Sequence, residues 1–376
     1  MITKSQSFLP SFPPHYLLDL KGKRAAVYGA GTMARQVIAA LRESGVKIQY
    51  VIDAKTKEST LEGIQIYSPD DPIIALETKK STPLFLGIYN PSVPIHTLKA
   101  RLASLGWGQI IPFVDLHGSD PNKFGDLFWL TKRDFYQHHR AQIEATANLW
   151  SDDESRQLYL DTLLFRTTGD DRGLRNPDLE HQYFPPNLPV FGSPDRPLRM
   201  IDCGACFGDV LRWIRLNNIP IAAGAFFEPD PENFKKLVLE IRQPGINDIA
   251  LFPIPCGVSD KFRQLRFSMN QGTSSALSEH GDQIVNCVSI DETLGGFSPN
   301  FIKMDIEGAE IEALEGARLT INTHRPRLAI SGYHRPSDIW TIPQKIKEIC
   351  PKYDRFYLRQ HGYQGFDSVI YSFVSE

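Results

Sequence analysis

The run Arg199-Met-Ile-Asp-Cys-Gly-Ala-Cys-Phe-Gly-Asp209 constrains this chain more than any other stretch. An apolar strand passes into a turn bearing Gly204 and Gly208, and the spacing of Val210, Leu211 and Ile214 predicts a helix directly after it. Glycines in such a turn let the backbone approach a ligand closely, and the first turn of the helix offers unpaired N–H groups. A second apolar run, Ala222-Ala-Gly-Ala-Phe-Phe, ends in Glu228, followed by Pro229 and Asp230. An acidic residue about 20 positions beyond the glycines, at the tip of a second strand, is where a nucleoside-binding α/β sheet grips ribose hydroxyls. Each half alone is weak evidence. Together they make a nucleoside cofactor site the leading reading.

A similar unit opens the chain. After a Pro-rich tail through Pro14, Lys23 to Ala34 reads as strand, glycine turn and helix start, with Gly29, Gly31 and Ala34 in the fingerprint positions. A second strand, Ile48 to Ile52, ends at Asp53. Further strand-like runs at Ile64–Tyr67, Pro83–Ile88 and Gln109–Pro112, with a helix near Ile95–Leu105, make residues 20–116 a small Rossmann-like α/β domain. Residues 117–180 turn helical and read as a connector; Ser151-Asp-Asp-Glu154 has the pattern of a capping box, ahead of Leu160, Leu163 and Leu164 on one helix face.

Residues 181–376 alternate strand and helix again. Asp230 suits a helix cap, with Pro231 in the first turn, Phe234, Leu237, Val238 and Ile241 as the apolar face, and Gly245 as the stop. A strand near Ala250–Pro255, a hairpin around Leu265–Phe267, a strand Phe301–Asp305, a helix from Gly308 and a strand Arg327–Gly332 follow. The closing runs Arg355–Arg359 and Ser368–Phe373 read as an antiparallel hairpin on the edge of a parallel sheet. The expected class is α/β: a C-terminal Rossmann-like sheet with an antiparallel last strand, preceded by the smaller domain and the helical connector.

The 376 residues suffice for two domains, and 41% hydrophobic with 23% charged is ordinary for a globular protein. A net charge of -3, with no block of Lys and Arg, argues against a nucleic-acid partner, because nothing stands out to neutralise phosphates. No run of 18 apolar residues occurs and Met1–Ser7 has no hydrophobic core of a leader, so no membrane span and a cytoplasmic location are expected. Five cysteines fit free thiols in a reducing compartment. Cys203 and Cys206 have C-x-x-C spacing, but no second pair completes a zinc site, so they read as small packing residues beside the cofactor.

Five blocks in order resemble the FkbM-type S-adenosylmethionine-dependent methyltransferases: Ile201 to Asp209, Phe227-Glu-Pro-Asp-Pro-Glu-Asn-Phe234, Gly257-Val-Ser-Asp260, Ile302-Lys-Met-Asp-Ile-Glu-Gly-Ala-Glu310 and Tyr333-His-Arg-Pro336. The resemblance covers roughly the C-terminal half and implies S-adenosylmethionine as cofactor, with methyl transfer to a hydroxyl of a sugar, glycan or secondary metabolite. Cys206 departs from the polar or aromatic residue more usual there, which bears on the fit around the methionine tail. The N-terminal blocks Val27–Gly31, Val51–Asp53 and Leu61–Asp71 resemble domains that precede glycan-modifying enzymes; a nucleotide or nucleotide-sugar binder and a scaffold without ligand are equal readings.

On that resemblance Gly204, Ala205 and Gly208 shape the pocket for the methionine part, Asp202 orients the loop or reaches the amino group, and Glu228 holds both ribose hydroxyls, with Pro229, Asp230 and Gly257 alongside. Asp305 ends the fourth strand, where parallel sheets place their ligands, and acts as base or orienting group. Glu307 and Glu310 flank a helix start that favours a carboxylate for electrostatic reasons alone. That bland role fits Glu310 better, and Glu307 is balanced between the two. His334 is the expected base because an imidazole titrates near neutral pH, with Asp305 next in line. The catalytic set is therefore His334, Asp305 and Glu307. A metal held by Asp305, Glu307 and His334 is conceivable, yet nothing in the spacing demands it and none is assigned. His117, His138 and His139 read as solvated. Two other classes compete: an NAD-dependent oxidoreductase using the N-terminal glycine turn, and a non-catalytic nucleotide-sugar-binding protein. The closing hairpin and the lack of a hydride-site constellation weigh against the first, and the full set of active-face residues against the second. A homo-oligomer is compatible with either.

Overall fold

The computed structural model describes residues 21–174, 176–188, 196–244, 249–267 and 283–375. The Pro-rich tail and the helix stop at Gly245 lie outside the described residues. The chain divides into two compact units, one of residues 1–140, 157–177 and 362–366, the other of 141–156, 178–361 and 367–376. The expected connector 117–180 is therefore not a separate piece. Its large side chains Trp129, Tyr136 and Trp150 are buried, which makes it core material of the units and not linker. His117, read as solvated, is also buried, with Nε2 2.8 Å from the Gly125 carbonyl oxygen.

In the first unit, β1 (Arg24–Tyr28), β2 (Lys47–Ile52), β3 (Thr60–Leu61), β4 (Ile64–Tyr67), β5 (Leu84–Leu86) and β6 (Ile110–Ile111) form a sheet of order β3-β4-β2-β1-β5-β6. Every pairing is parallel except β3 with β4. Helix α1 (Thr32–Glu43) follows β1 and buries Ala34, Val37, Ile38 and Leu41 on one face, as its 3.6-residue apolar spacing requires.

At the start of the long helix α2 (Asp153–Thr168) of the segment 117–180, the cap differs from the expected box. Asp152 Oδ1 accepts the Ser155 N–H at 2.8 Å, while the Ser151 hydroxyl accepts the N–H of Phe356. The Ser151 oxygen is turned to the strand, and Asp152, one residue nearer the helix, takes the cap.

The second unit is built on β7 (Leu198–Cys203), β8 (Ile221–Phe227), β9 (Ala250–Ile254), β13 (Phe301–Met304), β14 (Arg327–Ser331), β15 (Arg355–Gln360) and β16 (Ser368–Phe373). Their order is β15-β16-β14-β13-β7-β8-β9, and β16 runs antiparallel between β14 and β15. A separate three-stranded sheet joins β10 (Gly257–Val258), β11 (Arg263–Phe267) and β12 (Gln283–Val288). Central strands such as β7 and β13 are nearly continuous apolar runs because both faces of a parallel sheet are covered. Met200, Leu211, Ile214, Phe226, Leu237 and Phe301 share one core, each large side chain contributing about 1.5–3 kcal/mol of burial. Because β7, β8, β13 and β14 run in the same direction, the residues just beyond Cys203, Phe227, Met304 and Ser331 meet along one sheet edge.

Candidate active site

Gly204 follows β7 at φ +80°, and a Cβ there would collide with the carbonyl oxygen of Asp305. Gly208, also at φ +80°, starts helix α3 (Asp209–Leu216) without a side-chain cap, so the first-turn N–H groups are left for water or a ligand. Cys206 lies between them at φ +48° and donates its N–H to Glu228 Oε2 at 2.7 Å. The other oxygen of Glu228 accepts the Asp230 N–H at 2.8 Å, so this carboxylate ties the tip of β8 to the glycine turn. Glu228 is only 5% exposed, and burial pushes its carboxyl up to about 7 against the opposing effect of those two N–H donors.

The other expected cofactor residues take structural places. Asp230 caps helix α4 (Pro231–Ile241), accepting from Glu232 and Asn233 at 2.8 and 3.0 Å. That leaves Glu228 free of the capping role. Pro229 bridges the two at half burial. Ala205 has no exposed surface and sits in the core, its N–H on the Phe227 carbonyl at 2.9 Å. Asp202 is equally buried, 3.0 Å from the Lys303 ammonium, which in turn donates to the Gly204 carbonyl at 2.6 Å. This contact ties Asp202, through Lys303, to the glycine turn. Gly257 lies in the separate three-stranded sheet, where a Cβ would press on Cys287 Sγ.

The catalytic candidates do converge. His334 Nε2 is 3.2 Å from Asp305 Oδ1 and 3.6 Å from Glu307 Oε2, and Nδ1 is 2.8 Å from Glu310 Oε1. Glu310 also accepts the Ile306 N–H at 3.0 Å, and Tyr183 donates its hydroxyl to Asp305 Oδ2 at 2.6 Å. The imidazole is 2% exposed. Burial alone would discharge it, but Glu310 and Asp305 outweigh that and raise it well above its ordinary value. Burial likewise opposes the charge on Asp305, yet the hydrogen bond and charge of His334 hold that carboxyl well below the usual range. Glu307 is different. It lies at φ +56° with 21% of its side chain exposed, close to the 24% of Asp305, but burial, with Asp305 and Glu310 adding to it against His334, lifts its carboxyl to about 7.

Asp305, Glu310 and His334 offer donor atoms within 4.8 Å of one another, the spacing a metal site would need. Both ring nitrogens already face carboxylates, so the cage satisfies an imidazolium and carries no metal assignment.

Three contributors were missed. Glu310 was read as a helix-end charge, although it is 1% exposed and grips His334. Lys303 interrupts the apolar run Phe301–Met304, and a lysine inside a buried strand is a legible signal of a paired charge. Tyr183 left no local signal at all.

A model of the methyltransferase FkbM domain matches residues 202–364. No curated protein matches the chain. Among solved structures, methyltransferase FkbM from Methylobacillus flagellatus KT is 20% identical with a TM-score of 0.77, over 97% of this chain and 95% of that one. A SAM-dependent methyltransferase from Leishmania major is 9% identical with a TM-score of 0.28, over 50% of this chain and 67% of that one. The first likeness carries the fold: an α/β architecture with mixed sheets, similar to a methyltransferase structure. The residues that the domain model spans include Asp202, Glu228, Asp305, Glu307 and His334, and residues 202–364 belong to the FkbM methyltransferase domain family.

Proposed function

We propose that the chain is an S-adenosylmethionine-dependent O-methyltransferase acting on a hydroxyl of a sugar, glycan or other small metabolite. When bound, S-adenosylmethionine supplies an activated methyl group, so the protein's task is to position the acceptor and take its proton. The glycine turn fits that cofactor: it leads into a helix start with no side-chain cap, whose N–H groups are left for a ligand, and Glu228 retains acceptor capacity for ribose hydroxyls beyond its two N–H bonds.

The observation that carries the reading is the division of labour at the end of β13. Asp305, fixed by Tyr183 and His334, stays ionised and orients. His334, gripped on both sides by carboxylates that favour its protonated form, is a poorer proton acceptor than its type alone suggests. Glu307, poised at about 7 and partly exposed, is the group suited to accept a hydroxyl proton at neutral pH. We therefore move the base from His334 to Glu307.

The test is to incubate the chain with methyl-labelled S-adenosylmethionine and a panel of hydroxylated sugars and metabolites, followed by mass spectrometry of the products. A methyl ether is expected. Label found only on nitrogen or carbon would reject the oxygen assignment, and no labelled acceptor with the cofactor demonstrably bound would reject this acceptor class.

The first unit adds no second function that a specific observation favours. Among the described residues no helix is long and apolar enough to cross a membrane.

A further inference from the structure

At the opposite end of the same strands, where β7, β13 and β14 begin, a cavity of about 260 Å³ opens. Arg196, His324, Arg325 and Arg327 line it over a floor of Leu198, Pro299 and Phe373. No carboxylate side chain is among its described lining residues. We infer that this cavity is a binding site for a small phosphate-bearing anion, separate from the methyl-transfer site.

Three features carry the inference. The cations arrive from two separate parts of the chain: Arg196 before β7, and the junction from the end of helix α5 (Arg318–His324) into β14, which carries His324, Arg325 and Arg327. A helix C-terminus alone favours basic residues, which accounts for His324 and Arg325 but not for Arg196 or Arg327. The wall is also rigid. Asn300 donates its amide to the Pro197 carbonyl and accepts the Arg199 N–H, both at 2.8 Å, and its own carbonyl accepts the Arg327 N–H at 2.9 Å. The frame fixes the backbone from which the arginines project, and forked guanidinium groups suit the several oxygens of a phosphate. The volume lies below the roughly 300–1,000 Å³ of drug-sized sites, which limits the occupant to a diphosphate or a phosphorylated monosaccharide.

Calorimetry on the full chain with sodium diphosphate, and separately with glucose 6-phosphate, tests this. Saturable one-site binding of at least one of them is expected, unaffected by S-adenosylmethionine. The double variant Arg196→Gln with Arg325→Asn, which keeps a residue tolerant of the φ +49° at position 325, should weaken it by at least about tenfold. Arg196→Lys with Arg325→Lys keeps the charge but removes the fork, and should lie between the two. No saturable binding, binding unchanged in the Gln/Asn variant, or binding of long polyanions alone would each overturn the inference. A Gln/Asn variant that fails to fold transfers the decision to the lysine variant, where unchanged affinity has the same overturning force.

Discussion

In the first unit β1 runs through Gly29 and Gly31 into α1, and β2 ends in Asp53; in the second, β7 runs through Gly204 into α3, and β8 ends in Glu228. The two acidic tips behave differently. Asp53 Oδ1 accepts the N–H groups of Lys55 and Thr56, both at 2.7 Å, and so folds back on its own loop. Glu228, one methylene longer, reaches across to the N–H of Cys206 in the glycine turn. Both units share the strand–turn–helix pattern, but only in the second is the acidic tip tied to the glycine turn, beside strand ends that gather further charges; on the proposed function that difference is what suits it to a cofactor. The second unit gathers Asp305, Glu307, Glu310 and His334 there.

The largest effect should come from the group that distinguishes the second site most. Glu307→Gln should lower methyl transfer by about 10²–10⁴-fold with S-adenosylmethionine affinity retained. In the parent chain turnover should rise with pH through about 7, because only the ionised Glu307 accepts a proton, and it should fall away below that pH. The charges facing Glu307 are His334, Asp305, Glu310 and Asp367, so a shifted midpoint in Glu310→Gln would be consistent. A loss under about tenfold in Glu307→Gln would place the base elsewhere.

Next comes stability. Glu310→Ala leaves the buried His334 short of its closest counter-charge and should cost about 3–5 kcal/mol in urea unfolding. A cost near that of a surface substitution would show that the imidazole is neutral there.

The paired comparison is sharpest in binding. Glu228→Ala should weaken S-adenosylmethionine by about 1–3 kcal/mol in calorimetry, whereas Asp53→Ala should leave it unchanged. Affinity in the parent should decline as pH drops below about 7, where Glu228 takes up a proton. An equal loss in both variants would erase the contrast between the two turns.

The smallest effect concerns the helix starts. Asp230→Ala removes the α4 cap and should cost about 0.5–2 kcal/mol. At α1, Gly31 makes no side-chain cap and has open space around its Cα, so Gly31→Ser should gain a few tenths, roughly, of a kcal/mol. Both are read from denaturant midpoints.

Much of the second unit was legible because its signals are local. The glycines, the Asp230 cap two and three residues from its partners, and the apolar faces of α3 and α4 all act within a few positions of one another. The site was legible only in its membership. Glu228, Asp305, Glu307 and His334 stand out as polar residues at strand ends, but nothing in their spacing says which nitrogen faces which carboxylate. For that reason His334 looked like a base.

By itself the sequence determined two α/β units with glycine turns, a resemblance of residues 181–376 to FkbM-type methyltransferases, and the strand-end residues that could carry chemistry. Only the tertiary structure brought together the charges that bias their protonation. The Tyr183 hydroxyl meets Asp305 from 122 residues away, Lys303 meets Asp202 across neighbouring strands, and Glu310 meets His334 across 24 residues. Propensity and periodicity operate through neighbouring backbone groups. A pKa depends on burial and on every charge within several ångströms, which only the order of the strands brings together.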